Sequence, residues 1–144
     1  LNKLYNDIKN SRNAQAHHFS AQIDSELMIK GNESEITSIC LNLLRNAVIH
    51  TPKASHIKLI WQKTASNQPQ LLVSDDGDGI DPKHIPHLTE RFYRVDNSRS
   101  QNIQSTGLGL AIVKHICLKH HASFEIESLP GKGATFKITF SHPL

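Results

Sequence analysis

One long amphipathic stretch, from Glu33 to His50, most constrains how this chain can fold. Asn32 followed by Glu35 has the spacing of a capping box, which predicts a helix start. Pro52 ends the stretch, because the residue before a proline is disfavoured in helical geometry. Its apolar residues recur at steps of three and four: Ile36, Ile39, Cys40, Leu43, Leu44, Ala47 and Val48. This period predicts a helix that is buried along one broad face.

Two asparagines, Asn42 and Asn46, lie four residues apart on one edge of that face. Amides beside a buried stripe are costly to desolvate unless something bonds them. They are therefore either solvated surface amides or a polar row that faces a ligand pocket, and the helix alone leaves both interpretations open.

The composition indicates one ordinary globular domain. The chain has 144 residues, of which 38% are hydrophobic and 20% charged, and a formal net charge of +3. Lys and Arg are dispersed apart from Arg91, Arg94 and Arg99, so we expect no nucleic-acid surface. No apolar run is long enough for a membrane span, and no histidine set has zinc-like spacing. Cys40 and Cys117 lie in apolar helical patterns and are interpreted as reduced core cysteines.

Periodicity predicts the remaining elements. Alternating residues predict strands at 19–23, 27–30, 57–61, 70–74, 123–128 and 134–140, the first two paired as a hairpin. Helical segments are predicted at 1–11, from Asp81-Pro82, and from Gly107 onward. The last of these is expected to bury Leu108, Ala111, Ile112 and Ile116.

Three further segments carry chemistry. A strand runs directly into Asp75-x-Gly77-x-Gly79, which is either an acidic turn or a carboxylate beside backbone that a ligand can approach. Residues 90–106 lose all periodicity and predict a mobile, functional loop. Gly107 and Gly109 at a helix start leave backbone N–H groups that suit phosphate.

Together and in this order, the Asn42/Asn46 helix, Asp75-x-Gly77-x-Gly79, Arg91-Phe92-Tyr93-Arg94 and Gly107-x-Gly109 resemble the N, G1, F and G2 boxes of sensor histidine kinases. Gly131-x-Gly133 with Thr135 and Phe136 is similar to the remaining glycine box, and the match covers about 31–140. The stretch from Leu88 to Asp96, with Arg99-Ser100, is similar to one subfamily in particular, the bacterial kinases of the phosphate regulon.

The resemblance implies a two-layer α/β sandwich, the Bergerat ATP-binding fold of gyrase B, Hsp90 and MutL. Its sheet is mixed, mostly antiparallel and covered on one face by helices. Residues 1–144 would form a single ATP-binding catalytic domain. Within it, 1–15 would be the tail of an upstream helical dimerisation region, and 90–106 would be the ATP lid.

The resemblance also implies ATP and Mg²⁺ as cofactors. Asp75 would accept a hydrogen bond from the adenine amine, Asn46 would bind Mg²⁺ through its amide oxygen, and Arg94 would reach the phosphates. The implied catalytic residues are Asn42, Asn46 and Arg94. The implied ATP-binding residues are Asn42, Asn46, His50, Asp75, Gly77, Gly79, Ile80, Tyr93, Arg94, Arg99, Thr106, Gly107, Leu108, Gly109, Leu110 and Thr135.

Asn42 bears on the reaction class. Gyrase-like ATPases of this fold have a water-activating Glu at that position, and an amide cannot take a proton. The resemblance therefore implies a kinase that donates the γ-phosphoryl group to a histidine on a dimerisation domain absent here, for relay to an Asp of a response-regulator receiver domain. A homodimeric full-length protein is implied, and so is a cytoplasmic domain of an inner-membrane sensor, whose membrane contact would come only from upstream segments.

Two positions depart from the family pattern. Ile49 stands where many relatives have Lys, and Ser105 replaces the first glycine of the G2 box. The alternatives are a free-standing ATPase of the same fold, which Asn42 disfavours, and a degenerate protein-docking module, which the complete set of boxes disfavours.

Overall fold

The computed structural model describes residues 1–11, 14–95 and 106–141. Within these ranges the chain forms three α-helices, one short 3-10 helix and five β-strands. In chain order they are α1 (Asn2–Lys9), β1 (His18–Ile23), α2 (Glu33–His50), β2 (His56–Lys63), β3 (Pro69–Asp75), a 3-10 turn (Ile85–His87), α3 (Gly109–Lys119), β4 (Ala122–Ser128) and β5 (Ala134–Phe140).

The five strands form one mixed sheet in the order β1-β2-β3-β5-β4. Only β1 and β2 are parallel among these neighbours, and the other pairs are antiparallel. Alternate strand residues are buried, such as Ile57 and Leu59 in β2 or Phe136 and Ile138 in β5, and they pack beneath the helices. The predicted α/β sandwich, mostly antiparallel and covered by helices on one face, is confirmed.

The bounds of α2 are those predicted. The Asn32 side chain accepts a hydrogen bond from the Glu35 amide at 3.2 Å, and helical geometry ends at Thr51, before Pro52. Cys40 on α2 and Cys117 on α3 are free and buried, and burial raises the pKa of each thiol to about 12. Both therefore behave as protonated core residues.

The predicted hairpin at 19–23 and 27–30 is wrong. The turn after β1 exists, with the Glu26 amide bonded to Asp24 Oδ1 at 3.0 Å, but 27–30 is not a strand. β1 instead pairs in parallel with β2, and a parallel pair requires a crossover connection, which α2 supplies. Leu27 is buried beside the sheet, where its carbonyl accepts the indole N–H of Trp61 at 3.0 Å.

Two helix predictions need correction. Asp81-Pro82 begins a turn, in which Asp81 Oδ1 accepts from the Lys83 amide at 3.0 Å, and the short 3-10 helix begins only at Ile85. The last helix begins at Gly109 rather than Gly107 and turns a different face inward. Ile112 is 42% exposed, Leu108 and Ala111 are only partly buried, and the buried residues are Val113, Ile116 and Cys117.

Helix α1 packs on the same core. Tyr5 and Ile8 are buried, and the Tyr5 ring meets Phe19 edge-on with centroids 6.2 Å apart. That residues 1–15 continue an upstream helical region stays a prediction. None of the helices in the described ranges combines the length and hydrophobicity needed to cross a bilayer.

Candidate functional site

A large pocket of about 810 Å³ opens between α2, the loop that follows β3 and the start of α3. This volume lies within the range of small-molecule and cofactor sites. Thirteen of the sequence-predicted residues line it: Asn42, Asn46, His50, Asp75, Gly79, Ile80, Tyr93, Arg94, Thr106, Gly107, Leu108, Gly109 and Leu110. The structure therefore brings together four segments that are far apart in the chain.

The two asparagines on α2 are held differently. The Asn42 amide nitrogen donates to the carbonyl and the hydroxyl of Ser38, at 2.8 and 3.3 Å, so its oxygen is left toward the pocket. That oxygen lies 3.0 Å from where a Cβ on Gly109 would sit, so glycine allows the start of α3 to approach. Asn46 is partly buried in the pocket wall, and its side chain makes no hydrogen bond within the described part of the chain. Its amide is available to a ligand.

Asp75 is the last residue of β3, and its partly buried carboxylate lines the pocket. Burial raises its pKa above the ordinary value, and the Asp76 charge adds to this effect, while backbone N–H groups of Gly77 and Ala134 oppose it. The Gly77 amide donates to Asp75 Oδ1 at 3.0 Å. The side chain is therefore a partly desolvated hydrogen-bond acceptor, with one of its oxygens held by the Gly77 amide.

Gly77 itself does not line the pocket. It is buried behind Asp75, and a Cβ there would lie 2.9 Å from Thr51 Cγ2 and 3.0 Å from the Asp75 carboxylate. Gly77 thus supports Asp75 from the side that faces α2.

Gly79 and Gly133 have positive φ, +72° and +75°, and each meets backbone closely. A Cβ on Gly79 would lie 2.0 Å from the Leu129 carbonyl oxygen, and one on Gly133 would lie 1.9 Å from that of Asp75. The turn between β4 and β5 therefore packs directly against the loop after β3. Ser128 Oγ fastens the two, because it accepts from the Ile80 amide at 2.8 Å and donates to the Gly133 carbonyl at 2.7 Å.

Thr135 does not line the pocket either. It lies on β5 opposite Ser74, and its neighbours Ala134 and Phe136 line the pocket instead. Successive strand side chains point to opposite faces, so the Thr135 side chain lies on the face away from the pocket.

The predicted lid is described at its two ends only. The Phe92 amide donates to the Gly107 carbonyl at 2.9 Å and joins the ends. Arg94 is exposed and lines the pocket next to Tyr93. Arg99, also predicted to bind ATP, lies outside the described residues, as does Ser105.

His50 and Arg94 both line the pocket, close enough for the Arg94 charge to act on the His50 ring. That ring keeps contact with the solvent in the pocket, but the surrounding protein and, secondarily, the positive charge of Arg94 lower its pKa. His50 is therefore favoured in its neutral form.

Sequence reasoning missed several residues of the pocket wall. Arg45 lines it from within the Asn42–Asn46 repeat, is exposed, and makes no hydrogen bond or ion pair in the described part of the chain. Its position three residues after Asn42 is a helical signal that could have identified it. The other missed residues are Thr51, Asp78, Asp81, Lys83, His84, Leu88, Val95, Ile112, Pro130, Ala134 and Phe136. Most of them come from loops, which carry no periodic signal, whereas Ile112 lies on α3 and Ala134 and Phe136 lie on β5.

The donor set suits a metal that arrives with phosphate groups. The described residues contain no cluster of three or more His, Cys, Asp or Glu side chains arranged to hold a metal ion. Asn46 offers one neutral amide oxygen, and Mg²⁺ typically takes one or two protein ligands together with water and phosphate oxygens.

This fold and this pocket define a class. Residues 31–144 match the family described as Histidine kinase-, DNA gyrase B-, and HSP90-like ATPase, and the chain belongs to that family.

Two curated relatives are sensor proteins of the phosphate regulon. The chain is 45% identical over 141 residues to "Phosphate regulon sensor protein PhoR" of Pseudomonas aeruginosa, a match that covers 98% of the chain and 32% of the relative. It is 48% identical over 130 residues to the Haemophilus influenzae protein of the same name, over 90% of the chain and 30% of the relative. The chain thus spans about a third of the length of these relatives. The predicted resemblance to kinases of the phosphate regulon is confirmed.

Solved structures share the fold. A mycobacterial sensor histidine kinase, MprB, superposes with a TM-score of 0.83 at 23% identity, covering 96% of this chain and 91% of that one. Full-length ShkA in complex with AMPPNP superposes with a TM-score of 0.76 at 22% identity, covering 96% and 29%. Identities this low support the architecture alone.

Proposed function

We propose that this chain is the ATP-binding catalytic domain of a two-component sensor histidine kinase of the phosphate-regulon type. It binds Mg·ATP and donates the γ-phosphoryl group to a histidine on a dimerisation domain outside this chain. The single observation that carries the proposal is the Asp75 carboxylate, partly buried and fixed by the Gly77 amide at 3.0 Å, in the wall of a pocket of about 810 Å³.

Asp75 selects the base. The exocyclic amine of adenine donates a hydrogen bond to a carboxylate, whereas guanine presents an acceptor oxygen at the equivalent place and would be repelled. A hydrogen bond to a charged group is worth roughly 1.5–3 kcal/mol, which corresponds to a preference of about ten-fold or more.

Asn46 and Arg94 serve the phosphate end. The free amide oxygen of Asn46 would be a protein ligand of Mg²⁺, which when bound would neutralise phosphate charge. Arg94, at the described end of the predicted lid, lines the same pocket and would contribute positive charge to the phosphates. The glycines that open α3 allow the backbone N–H groups at the helix start to approach the phosphates.

Asn42 supports transfer rather than rapid hydrolysis. Its amide nitrogen is committed to Ser38, and neither of its side-chain atoms can act as a general base at neutral pH. Phosphoryl transfer then depends on an external nucleophile, the histidine of the dimerisation domain. From that histidine the phosphoryl group passes to an Asp of a response-regulator receiver domain.

The setting of the whole protein belongs to the same proposal. The chain is one domain, 1–144, in which 90–106 acts as the ATP lid and 1–15 continues toward the dimerisation region. It operates on the cytoplasmic side of an inner-membrane homodimer.

The first test is a thermal-shift titration of this chain with ADP, a non-hydrolysable ATP analogue and the guanine counterparts, with and without Mg²⁺. A ligand that binds only the folded state raises Tm by mass action. Adenine nucleotides should raise Tm, Mg²⁺ should increase the effect of the ATP analogue, and guanine nucleotides should leave Tm unchanged.

Two matched variants make this test specific. Asp75→Asn should abolish the preference for adenine and weaken binding about ten-fold or more. Asp76→Asn removes the same charge one residue away, where Asp76 is exposed and bonds the His56 amide at 2.6 Å, and should bind as the native chain does. Unchanged binding in Asp75→Asn would refute the role of Asp75, and no Tm shift at millimolar nucleotide would favour a docking module. Fast release of phosphate by this chain alone would favour a free-standing ATPase.

A further inference from the structure

Two histidines hold Tyr93 from different sides. The Tyr93 hydroxyl lies 2.6 Å from Nδ1 of His84, which precedes the 3-10 turn. The Tyr93 ring stacks on His87, with centroids 5.4 Å apart and an interplanar angle of 29°. His87 is fixed in turn by Glu90, whose carboxylate lies 2.7 Å from His87 Nδ1.

This arrangement lies in the wall of the pocket. His84 and Tyr93 both line it, and both side chains are partly buried, whereas the His87–Glu90 pair is largely exposed. Within the described part of the chain, the His84 side chain makes no other hydrogen bond than the one to Tyr93.

Tyr93 also lies between Phe92, whose backbone amide is hydrogen-bonded to Gly107, and Arg94, which lines the pocket. The preceding residue, Phe92, bonds the Gly107 carbonyl at 2.9 Å, and the following residue is Arg94. A Cβ on Gly107 would lie 2.8 Å from Phe92 Cα and 3.1 Å from the Tyr93 carbonyl oxygen, so these backbones are in close contact. A shift of Tyr93 would therefore disturb both the backbone contact with Gly107, two residues before α3, and the direction of Arg94.

We propose that His84 is a positioning residue for nucleotide binding: through the Tyr93 hydroxyl it fixes the backbone that aims Arg94 into the pocket. The proposal rests on the proposed function and adds to it a residue that does not itself touch the reacting phosphates. His84 Nδ1 and the Tyr93 hydroxyl share one hydrogen bond, and the stack on His87 restrains the tyrosine ring from its other side.

Three single variants, His84→Leu, Tyr93→Phe and His84→Asn, and the double variant His84→Leu/Tyr93→Phe distinguish an effect of the hydrogen bond from an effect of packing. His84→Leu and Tyr93→Phe each remove one partner of the bond while they retain apolar bulk. His84→Asn places an amide where Nδ1 stands and can still accept from the hydroxyl. His115→Leu is the matched control, because His115 is an exposed histidine of α3 that lies outside the pocket wall.

The affinity for Mg·ADP, measured by calorimetry on the whole chain, is the first readout. His84→Leu and Tyr93→Phe should each weaken it about five-fold, which is the loss of one ordinary hydrogen bond. The double variant should be no weaker than either single variant, since both remove the same interaction. His84→Asn should restore native affinity, and His115→Leu should not change it. Equal affinity in His84→Leu and the native chain, or failure of His84→Asn to rescue, would overturn the proposal.

Amide hydrogen exchange without nucleotide provides a second, independent readout. The Phe92 amide should exchange faster in His84→Leu and at the native rate in His84→Asn, because the bond to Gly107 loosens when Tyr93 is released. Should the native chain bind no nucleotide, the proposed function fails, and exchange still tests separately whether the bond between His84 and Tyr93 holds the backbone at Phe92. If the Phe92 amide of His84→Leu exchanged at the native rate, the proposed role of His84 would be refuted.

Discussion

Gly79 and Gly131 offer a matched pair for asking what the glycines around the pocket do. Both have positive φ, +72° and +78°, which costs an alanine about 1–2 kcal/mol at either position. A Cβ on Gly131 would meet nothing within 4 Å, whereas a Cβ on Gly79 would lie 2.0 Å from the Leu129 carbonyl oxygen. The difference between the two alanine variants therefore isolates the close approach of the β4–β5 turn to the loop after β3.

The contact sets the size of the difference. Since real Cβ atoms essentially never come closer than 3.0 Å to another heavy atom, the turn in Gly79→Ala must retreat by about 1 Å. That shift strains two bonds between loop and turn, Gly131 N–H to the Asp78 carbonyl at 2.7 Å and Ile80 N–H to Ser128 Oγ at 2.8 Å. At about 1 kcal/mol for each bond, Gly79→Ala should lower the free energy of unfolding by about 3–4 kcal/mol, against about 1–2 for Gly131→Ala.

Urea denaturation of the two variants and the native chain measures this difference. Domains of this kind have unfolding free energies of about 5–15 kcal/mol, so both variants should fold and their midpoints should separate clearly. Leu129 is 57% exposed, and a turn free to move outward would absorb the new methyl group at little cost. Equal losses of unfolding free energy in the two variants would show that the turn moves outward in this way. They would refute the reasoning that close packing requires glycine at position 79.

Two further predictions concern charge. Lys119 and then His120 lower the pKa of Glu35 from its ordinary value of 4.5, so Glu35 stabilises the fold above that pH, and the contribution is lost as pH falls through the lowered pKa. Acid denaturation should therefore be steeper for the native chain than for Glu35→Gln, and parallel curves would contradict the ion pair. Arg45→Ala should weaken binding of an ATP analogue by up to about five-fold, because an exposed charge pair is worth at most about 1 kcal/mol. Arg91→Ala, an exposed arginine outside the pocket wall, should leave the affinity unchanged, and calorimetry at low and high salt would compare the two.

Local signals predicted the parts of the fold that local physics determines. The bounds of α2 follow from the Asn32 cap and from Pro52, both of which act within one turn of helix. The hairpin of β4 and β5 follows from alternation on both sides of a glycine-rich turn. Pairing between distant segments has no such signal. Alternation correctly made β1 a strand but could not say that its partner is β2, a whole helix away along the chain.

The inward face of α3 was mispredicted for a related reason. From Leu108 to Val113 the sequence is apolar at nearly every position, so periodicity does not define a single face. The packing of α3 against α2 and β4 selects Val113 and Cys117 and leaves Ile112 exposed at the pocket rim. Where nearly every position is apolar, tertiary packing rather than the sequence pattern decides which side chains are buried.

The residues of the candidate site also fall into two groups, those that local sequence signals indicate and those that depend on tertiary contacts. Asp75 at a strand end and the Asn42/Asn46 pair are visible in the sequence, because residue type and spacing already indicate chemistry. Thr135 is not brought to the pocket, since a one-residue step along β5 reverses the face. His84 was missed because its importance lies in a contact with Tyr93, nine residues away and outside any repeating pattern.

Some residues of this site also hold the local fold, whereas others line the pocket without bonding the rest of the described chain. This difference decides which variants report ligand binding alone. The Asp75 carbonyl lies against Gly133 of the β4–β5 turn, and its carboxylate accepts the Gly77 amide within the loop after β3, so contacts of the same residue also hold the local fold. Lower affinity after a glycine substitution here would therefore reflect a displaced loop as much as a lost ligand contact. The side chains of Asn46 and Arg45 line the same pocket yet bond nothing in the described chain, so removing them costs the fold little. Loss of nucleotide affinity at those two positions, with the unfolding free energy unchanged, would report binding alone.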